Sequence, residues 1–225
     1  MPQDNFSQQK QDVLLRIDKS SKRSWDKKIA GLCEKINKKE NYYTTSSCSG
    51  RVVLIIESDK KEHGLFVQVY HDLISLKQLK EDLNKIASFH SVINNKQLIK
   101  NPDITNYLAE KSDKVDFGAI KSRAKRDELI KFKQEPCILH ISCKTLEDAE
   151  KLIKKSQLAG WKKAGIVALG KRLIVELNST EKLEFPIISN EKILVNEDFL
   201  KIIIKKSNKN LKKSWEKIER LKKSL

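Results

Sequence analysis

The segment PCILHISCKTLEDAEKLIKKSQLAGWKKAGIVALGKRLIVELN, residues 136–178, carries a strand, a helix and a hairpin in immediate succession. Cys137, Leu139, Ile141 and Cys143 fall at every second position, which puts them on one face of a strand. Thr145 then opens a helix over Leu146, Ala149, Leu152 and Ile153, because a threonine hydroxyl accepts a hydrogen bond from an unpaired N–H of the first turn. Gly160 ends that helix as a left-handed cap, a conformation glycine adopts without a Cβ penalty. Gly165–Leu169 and Arg172–Leu177 are two further strands turning at Gly170-Lys171.

The flanks continue the alternation. A helix around Ser7 to Ile17 precedes one capped by Ser24, which sets Trp25, Ile29, Leu32, Cys33 and Ile36 on one face. Tyr42–Glu57 has β character with a serine-rich interruption at Ser46–Gly50, and Leu65–Tyr70 alternates as another strand. Ser75 and Gln78 form a capping pair for a helix using Leu76, Leu79, Leu83 and Ile86. Residues 88–128 are less regular, with helical patches around Ile104–Ala109 and Ala119–Leu129, and read as an insertion in a single domain of residues 1–225. Leu183–Ile187 and Lys192–Val195 are short strands, and Asn196 starts a long basic C-terminal helix. There is no regular βαβ repeat, so the expected class is α+β, a mixed sheet flanked by helices.

Charge narrows the function. The 46 Lys and Arg against 30 Asp and Glu give a formal charge of +16. Residues 201–225 hold 10 basic and 2 acidic side chains, and residues 1–39 hold 10 and 5. The rest is nearly balanced, so the positive field sits at the chain's two ends and suits an anionic partner such as nucleic acid. Well-solvated or heat-adapted lysine-rich helices are the alternative. No apolar run approaches the ~20 residues of a membrane helix, and no apolar signal segment opens the chain, so a cytoplasmic protein is expected. The four cysteines include no CxxC pair and read as reduced thiols, with no metal site.

The run TTSSCSGR, residues 44–51, joins five hydroxyls, a thiol, a glycine and a guanidinium. A bend of this composition can present N–H groups, hydroxyls and a bidentate arginine to an anion. A β-bulge with satisfied hydroxyls is the plainer alternative. Cys48 has no local base and reads as structural. His71 follows one strand and His140 lies within another, so each is either a hydrogen-bonded structural residue or part of a pocket. Neither GxxxxGK[ST] nor GxGxxG is present after any strand.

Taken together, Asp18-Lys19-Ser20, Trp25-Asp26, Asn37, Tyr42-Tyr43, TTSSCSGR, Tyr70-His71, Pro136–His140, Gly160–Ile166, Thr180, Leu183, Pro186 and Asn208 resemble the tRNA wybutosine-synthesizing protein 3 family. The resemblance covers nearly the whole chain except residues 88–128. It implies methyl transfer from S-adenosylmethionine to ring nitrogen N4 of the aminocarboxypropyl-demethylwyosine base at position 37 of tRNA-Phe, in a fold other than the Rossmann-type methyltransferase. A non-catalytic tRNA-binding module of the same pathway is the alternative. Carried over residue by residue, the resemblance implies a substrate or cofactor pocket at Ser46, Ser47, Cys48, Gly50 and Arg51. It leaves His71 and His140 as candidate bases, and Asp26 as an orienting or salt-bridging residue. Lys19, Lys22, Arg23, Lys27, Lys28, Lys162 and Lys163 are the candidate contacts to the tRNA anticodon arm. No metal is implied.

Overall fold

The computed structural model describes residues 5–15, 26–57, 66–94, 129–190 and 192–225. In chain order its first elements are α1 (Asn5–Leu14), α2 (Lys27–Asn37), β1 (Tyr42–Cys48), β2 (Arg51–Ile56), β3 (Phe66–Tyr70) and α3 (Leu76–Asn94). β4 (Leu129–Glu135), β5 (Ile138–Cys143), α4 (Leu146–Leu158), β6 (Lys163–Ala168) and β7 (Leu173–Asn178) follow. The chain ends with β8 (Leu183–Ser189), β9 (Lys192–Ile193) and α5 (Glu197–Ser224). The α+β class holds, with the strands in two wholly antiparallel sheets rather than one mixed sheet. None of the described helices is long and apolar enough to cross a membrane.

The residues fall into two compact units, and the chain passes from one to the other at Gly50–Arg51. The first comprises Met1–Gly50, Pro136–Glu181 and Asn210–Leu225 and contains the sheet β1-β5-β7-β6. One face of this sheet is apolar: Leu139, Ile141, Cys143, Val175 and Leu177 pack with Ile29, Leu32, Cys33 and Ile36 of α2, Ala149 and Leu152 of α4, and Ile218 and Leu221 of α5. Each large aliphatic residue so buried contributes about 1.5–3 kcal/mol. Trp161 is fully buried in the same cluster and donates its indole N–H to the Lys217 carbonyl at 3.2 Å.

The helix ends are closed as the sequence predicts. Thr145 Oγ1 accepts from the Asp148 N–H at 3.1 Å, and its hydroxyl donates to the Asp148 carboxylate at 2.8 Å. Asn41 Nδ2 also donates to that carboxylate, tying the start of α4 to the entrance of β1. Gly160 has φ +97°, the left-handed cap, and a Cβ there would meet Arg220 Nη2 at 3.0 Å. The cap of α2 falls at Asp26, two residues beyond the expected Ser24, which lies outside the described residues.

The second unit, Arg51–Glu135 and Lys182–Lys209, holds the sheet β3-β2-β4-β8-β9. β4 is an addition to the sequence reading, and its strict alternation of buried Ile130, Phe132 and Gln134 with outward residues marks a strand. The expected capping bond of α3 is present, from the Gln78 N–H to Ser75 Oγ at 3.1 Å. Beneath α3 the Asp82 carboxylate, 3 % exposed, accepts from Tyr70 Oη at 2.7 Å and Gln68 Nε2 at 3.1 Å. Burial, then the hydrogen bond and charge of Asp82, push the Tyr70 phenol strongly upward. Of the expected insertion, residues 88–94 continue α3 and 95–128 lie outside the described residues.

In the first unit Lys217, 9 % exposed, pairs with Glu181, 13 % exposed, at 2.5 Å. Burial raises the Glu181 carboxyl, but hydrogen bonding and charge from Lys217 outweigh it and leave the group below its ordinary range. Stability from this pair is present above the ordinary carboxylate range and is lost as pH falls below it, through the lowered native value. Lys217→Met is expected to destabilise the protein by about 3 kcal/mol in urea unfolding at neutral pH, because it strands a buried carboxylate. Glu181→Gln in the same background is expected to recover part of that loss.

Candidate active site

The period of two along each strand decides which side chains stand opposite the core. Since Leu139, Ile141 and Cys143 of β5 face the helices, Ile138, His140 and Ser142 occupy the other face. On β7 the same reasoning sends Ile174, Glu176 and Asn178 there. The register then aligns Ser46 with His140, His140 with Glu176, and Glu176 with Gly165, a row across all four strands.

His140 Nε2 and Glu176 Oε2 are 2.7 Å apart, with the side chains 30 % and 31 % exposed. At the end of the row a Cβ on Gly165 would meet nothing within 4 Å, so the space beside the pair is open. A carboxylate accepting the Nε2–H fixes the imidazole tautomer and orientation and leaves Nδ1 as the proton acceptor. Two buried polar atoms flank the pair along the strands. Ser142 Oγ lies beyond His140 on β5 and Asn178 Oδ1 beyond Glu176 on β7, each without a hydrogen-bond partner. Because β5 and β7 are antiparallel, these orphaned atoms stand on opposite sides of the pair, Ser142 sealed beside its cross-strand partner Tyr43 and Asn178 on a half-buried residue.

The hydroxyl run is a strand as far as Cys48, not a bend, and the pleat therefore separates its side chains. The ladder shifts register between Thr44 and Ser46, the bulge of the plainer reading. Asn37 compensates there, accepting from the Thr44 N–H at 2.8 Å. Ser46 and Cys48 share the His140 face, whereas Ser47 aligns with Leu139 and lies on the side of Cys33 of α2. Asp26 accepts from both the Ser49 N–H at 3.1 Å and the Ser49 hydroxyl at 3.2 Å, pinning the strand exit to the start of α2. Gly50 follows with φ +89°, which a side chain rarely adopts.

Arg51 belongs to the second unit, where its Nε donates to Glu135 at 2.7 Å and its guanidinium lies 4.7 Å from the Phe66 ring centre. His71 also belongs to that unit, just past β3. Within the first unit, then, the candidates brought together are Ser46, Cys48 and His140. Lys27 and Lys28 are exposed in the first turn of α2, with Lys28 Nζ 4.6 Å from the Trp215 ring centre. Lys162 is exposed ahead of β6, and Lys163 opens that strand opposite Asn178. Lys19, Lys22 and Arg23 lie outside the described residues. Glu176, Ser142 and Asn178 are absent from the sequence-derived set. Alternation with Val175 and Leu177 places Glu176 away from the core, but only the register reveals its partner 36 residues away.

Burial pushes the thiols of Cys33 and Cys137 up to about 11 and that of Cys143 to about 12. No group of three His, Cys, Asp or Glu residues among the described residues is placed to hold a metal.

Residues 8–225 match the family described as Methyltransferase TYW3. The chain is 31 % identical over 220 residues to a tRNA wybutosine-synthesizing protein 3 homolog of Xenopus laevis, covering 97 % of this chain and 73 % of that one. It is 29 % identical over 221 residues to the tRNA(Phe) 7-((3-amino-3-carboxypropyl)-4-demethylwyosine(37)-N(4))-methyltransferase of Thermococcus sibiricus, covering 96 % and 92 %. The solved structure of PH1069 protein from Pyrococcus horikoshii superposes with a TM-score of 0.72 at 28 % identity, over 97 % of this chain and 93 % of that one.

Two outcomes follow from this geometry. Iodoacetamide at neutral pH is expected to label Cys48 well ahead of the three buried thiols, and peptide mass spectrometry reads the order. Arg51→Ala is expected to lower stability by about 1 kcal/mol through the lost ion pair and ring contact, measured by thermal unfolding.

Proposed function

The chain belongs to the TYW3 methyltransferase family, and from that membership we propose that the His140–Glu176 face of its four-stranded sheet holds the acceptor base. The enzyme methylates N4 of the 7-(3-amino-3-carboxypropyl)-4-demethylwyosine base at position 37 of tRNA(Phe). The accessory-module alternative lacks this chemistry and is set aside.

A ring N–H is a poor nucleophile until its proton is removed. The observation that carries the assignment is the imidazole held by a carboxylate at 2.7 Å beside open space. His140 takes the N4 proton through the nitrogen turned away from Glu176, and Glu176 stabilises the imidazolium that forms. Ser46, aligned with His140 at the exposed end of the row, offers a hydroxyl to the base's polar edge. Such a base needs no duplex opening, because an anticodon-loop nucleotide unstacks at modest cost.

The methyl donor in this reading is S-adenosylmethionine, which when bound supplies an electrophilic methyl group on sulfur. Asn178 Oδ1, an acceptor without a partner on a half-buried residue, fits an amino or hydroxyl group of such a ligand.

Lys27, Lys28, Lys162 and Lys163 are the phosphate contacts in this reading. Two lysines at the start of α2 oppose the helix dipole, a cost that an incoming phosphate relieves. If about 4–6 phosphates are neutralised, affinity falls by orders of magnitude between low and moderate salt. A cytoplasmic location accords with a tRNA substrate in this reading.

Mass spectrometry of the tRNA nucleoside after incubation with S-adenosylmethionine tests the assignment. His140→Ala is expected to slow methylation by about 10²–10⁴ with tRNA affinity unchanged. Glu176→Gln is expected to lower kcat by about tenfold with KM for tRNA preserved, and to disturb the Nε2–H tautomer seen in ¹⁵N NMR of the ring. Undiminished methylation by a folded His140→Ala protein would remove His140 as the base.

A further inference from the structure

The same sheet face runs on into a shallow, solvent-open cavity of about 450 Å³ between α1 and the β6–β7 hairpin. Its apolar walls are Ala168, Leu169 and Ile174, and its charged walls are Lys171 and Arg172. Ala168 and Ile174 are cross-strand partners, so the cavity is the next row beyond Gly165 and Glu176. Ile174 lies two positions before Glu176, about 7 Å along the strand.

Gln9 of α1 closes the far side. Its amide is held by Asn5 Oδ1 at 3.0 Å and its carbonyl accepts from Tyr43 Oη at 3.4 Å, while Phe6 packs on the Tyr43 ring at 5.1 Å. At the hairpin Val167 is 56 % exposed and Leu169 is 72 % exposed, apolar surface left facing solvent. Neither Lys171 nor Arg172 forms an ion pair with a described residue, and no carboxylate lines the cavity.

We propose that this cavity takes an RNA nucleotide adjacent to the one methylated, its base against Leu169 and Ile174 and its phosphate on Lys171 and Arg172. The inference rests on the His140–Glu176 face being the acceptor site. An apolar wall beside two cations that have no acidic partner among the described residues matches the flat ring and single negative charge of a nucleotide. A sulfonium ligand is disfavoured in a site whose charges, among the described residues, are both positive, and a ribose diol finds no carboxylate among them. Holding a neighbour one row away limits where the acceptor ring can lie over His140.

The test uses a synthetic anticodon stem-loop RNA of substrate sequence and two versions in which the nucleotide before or after position 37 lacks its base. The full-length protein is expected to bind the intact RNA about tenfold more tightly than one of the abasic RNAs. Leu169→Ser is expected to lose about tenfold for the intact RNA and almost nothing for that abasic one. Arg172→Gln is expected to weaken both and to reduce the slope of log affinity against log salt by about one. Equal binding of all three RNAs by an unmodified enzyme that still methylates its tRNA would overturn the cavity assignment and leave the acceptor site standing. Loss of S-adenosylhomocysteine binding in both variants, with RNA affinity intact, would overturn it in favour of the donor. Failure of the unmodified enzyme to bind any of the RNAs or to methylate tRNA would remove both assignments.

Discussion

Burial of the Trp161 indole beneath the C-terminal helix is the constraint on which the first unit depends. The side chain is fully buried and its one polar atom is satisfied by the Lys217 carbonyl, so it meets both demands that a large amphipathic ring makes. Losing such a ring typically costs about 3–5 kcal/mol. Its position is over-determined. Gly160 turns the chain into it, Arg220 Nε donates to the Ala159 carbonyl at 3.0 Å, and the Lys217–Glu181 pair holds the helix turn above. Lys35 of α2 donates to the Lys222 carbonyl at 2.7 Å near the end of α5, bringing α2 into the same lock.

That lock has a consequence for chemistry. With α2, α4 and α5 saturating one face of the sheet, the strands are left to present their alternate residues on the other. His140, Glu176, Ser142, Asn178 and Ser46 stand there because their neighbours are needed in the core. The His140–Glu176 pair is rigidly placed, since β5 and β7 are the two inner strands and each pairs on both sides. A histidine and a carboxylate from adjacent strands therefore keep their separation without help from a loop, as an acceptor that must be aligned for displacement requires.

Much of this fold is legible in the sequence because the decisive segments carry a single period. Cys137 to Leu177 alternates, then repeats at 3.6, then alternates again, with Thr145 and Gly160 marking the changes. The serine run is harder, because a hydroxyl-rich strand resembles a loop in composition. Only the pairing with β5 shows that Ser46 and Ser47 point to opposite faces. β4 is masked by its lysines: Lys131 and Lys133 on the outward positions give Leu129–Glu135 the composition of a helix surface, although Ile130, Phe132 and Gln134 alternate with them. Arg51 shows a different limit. Its neighbours in sequence suggest a ligand, but Glu135, its partner across β2 and β4, is visible only once those strands are paired. Glu176 is missed for the same reason, since the sequence shows its face but not the imidazole it meets.

In the proposed complex the acceptor nucleotide lies on the His140 face of the four-stranded sheet. Photo-cross-linking from a tRNA carrying a photoreactive base at position 37, followed by mass spectrometry of the attached peptides, tests it directly. The account predicts cross-links to residues 138–142 of β5 and 163–178 across the β6–β7 hairpin. Cross-links confined to β2, β3, β4 or α3 of the second unit would contradict it.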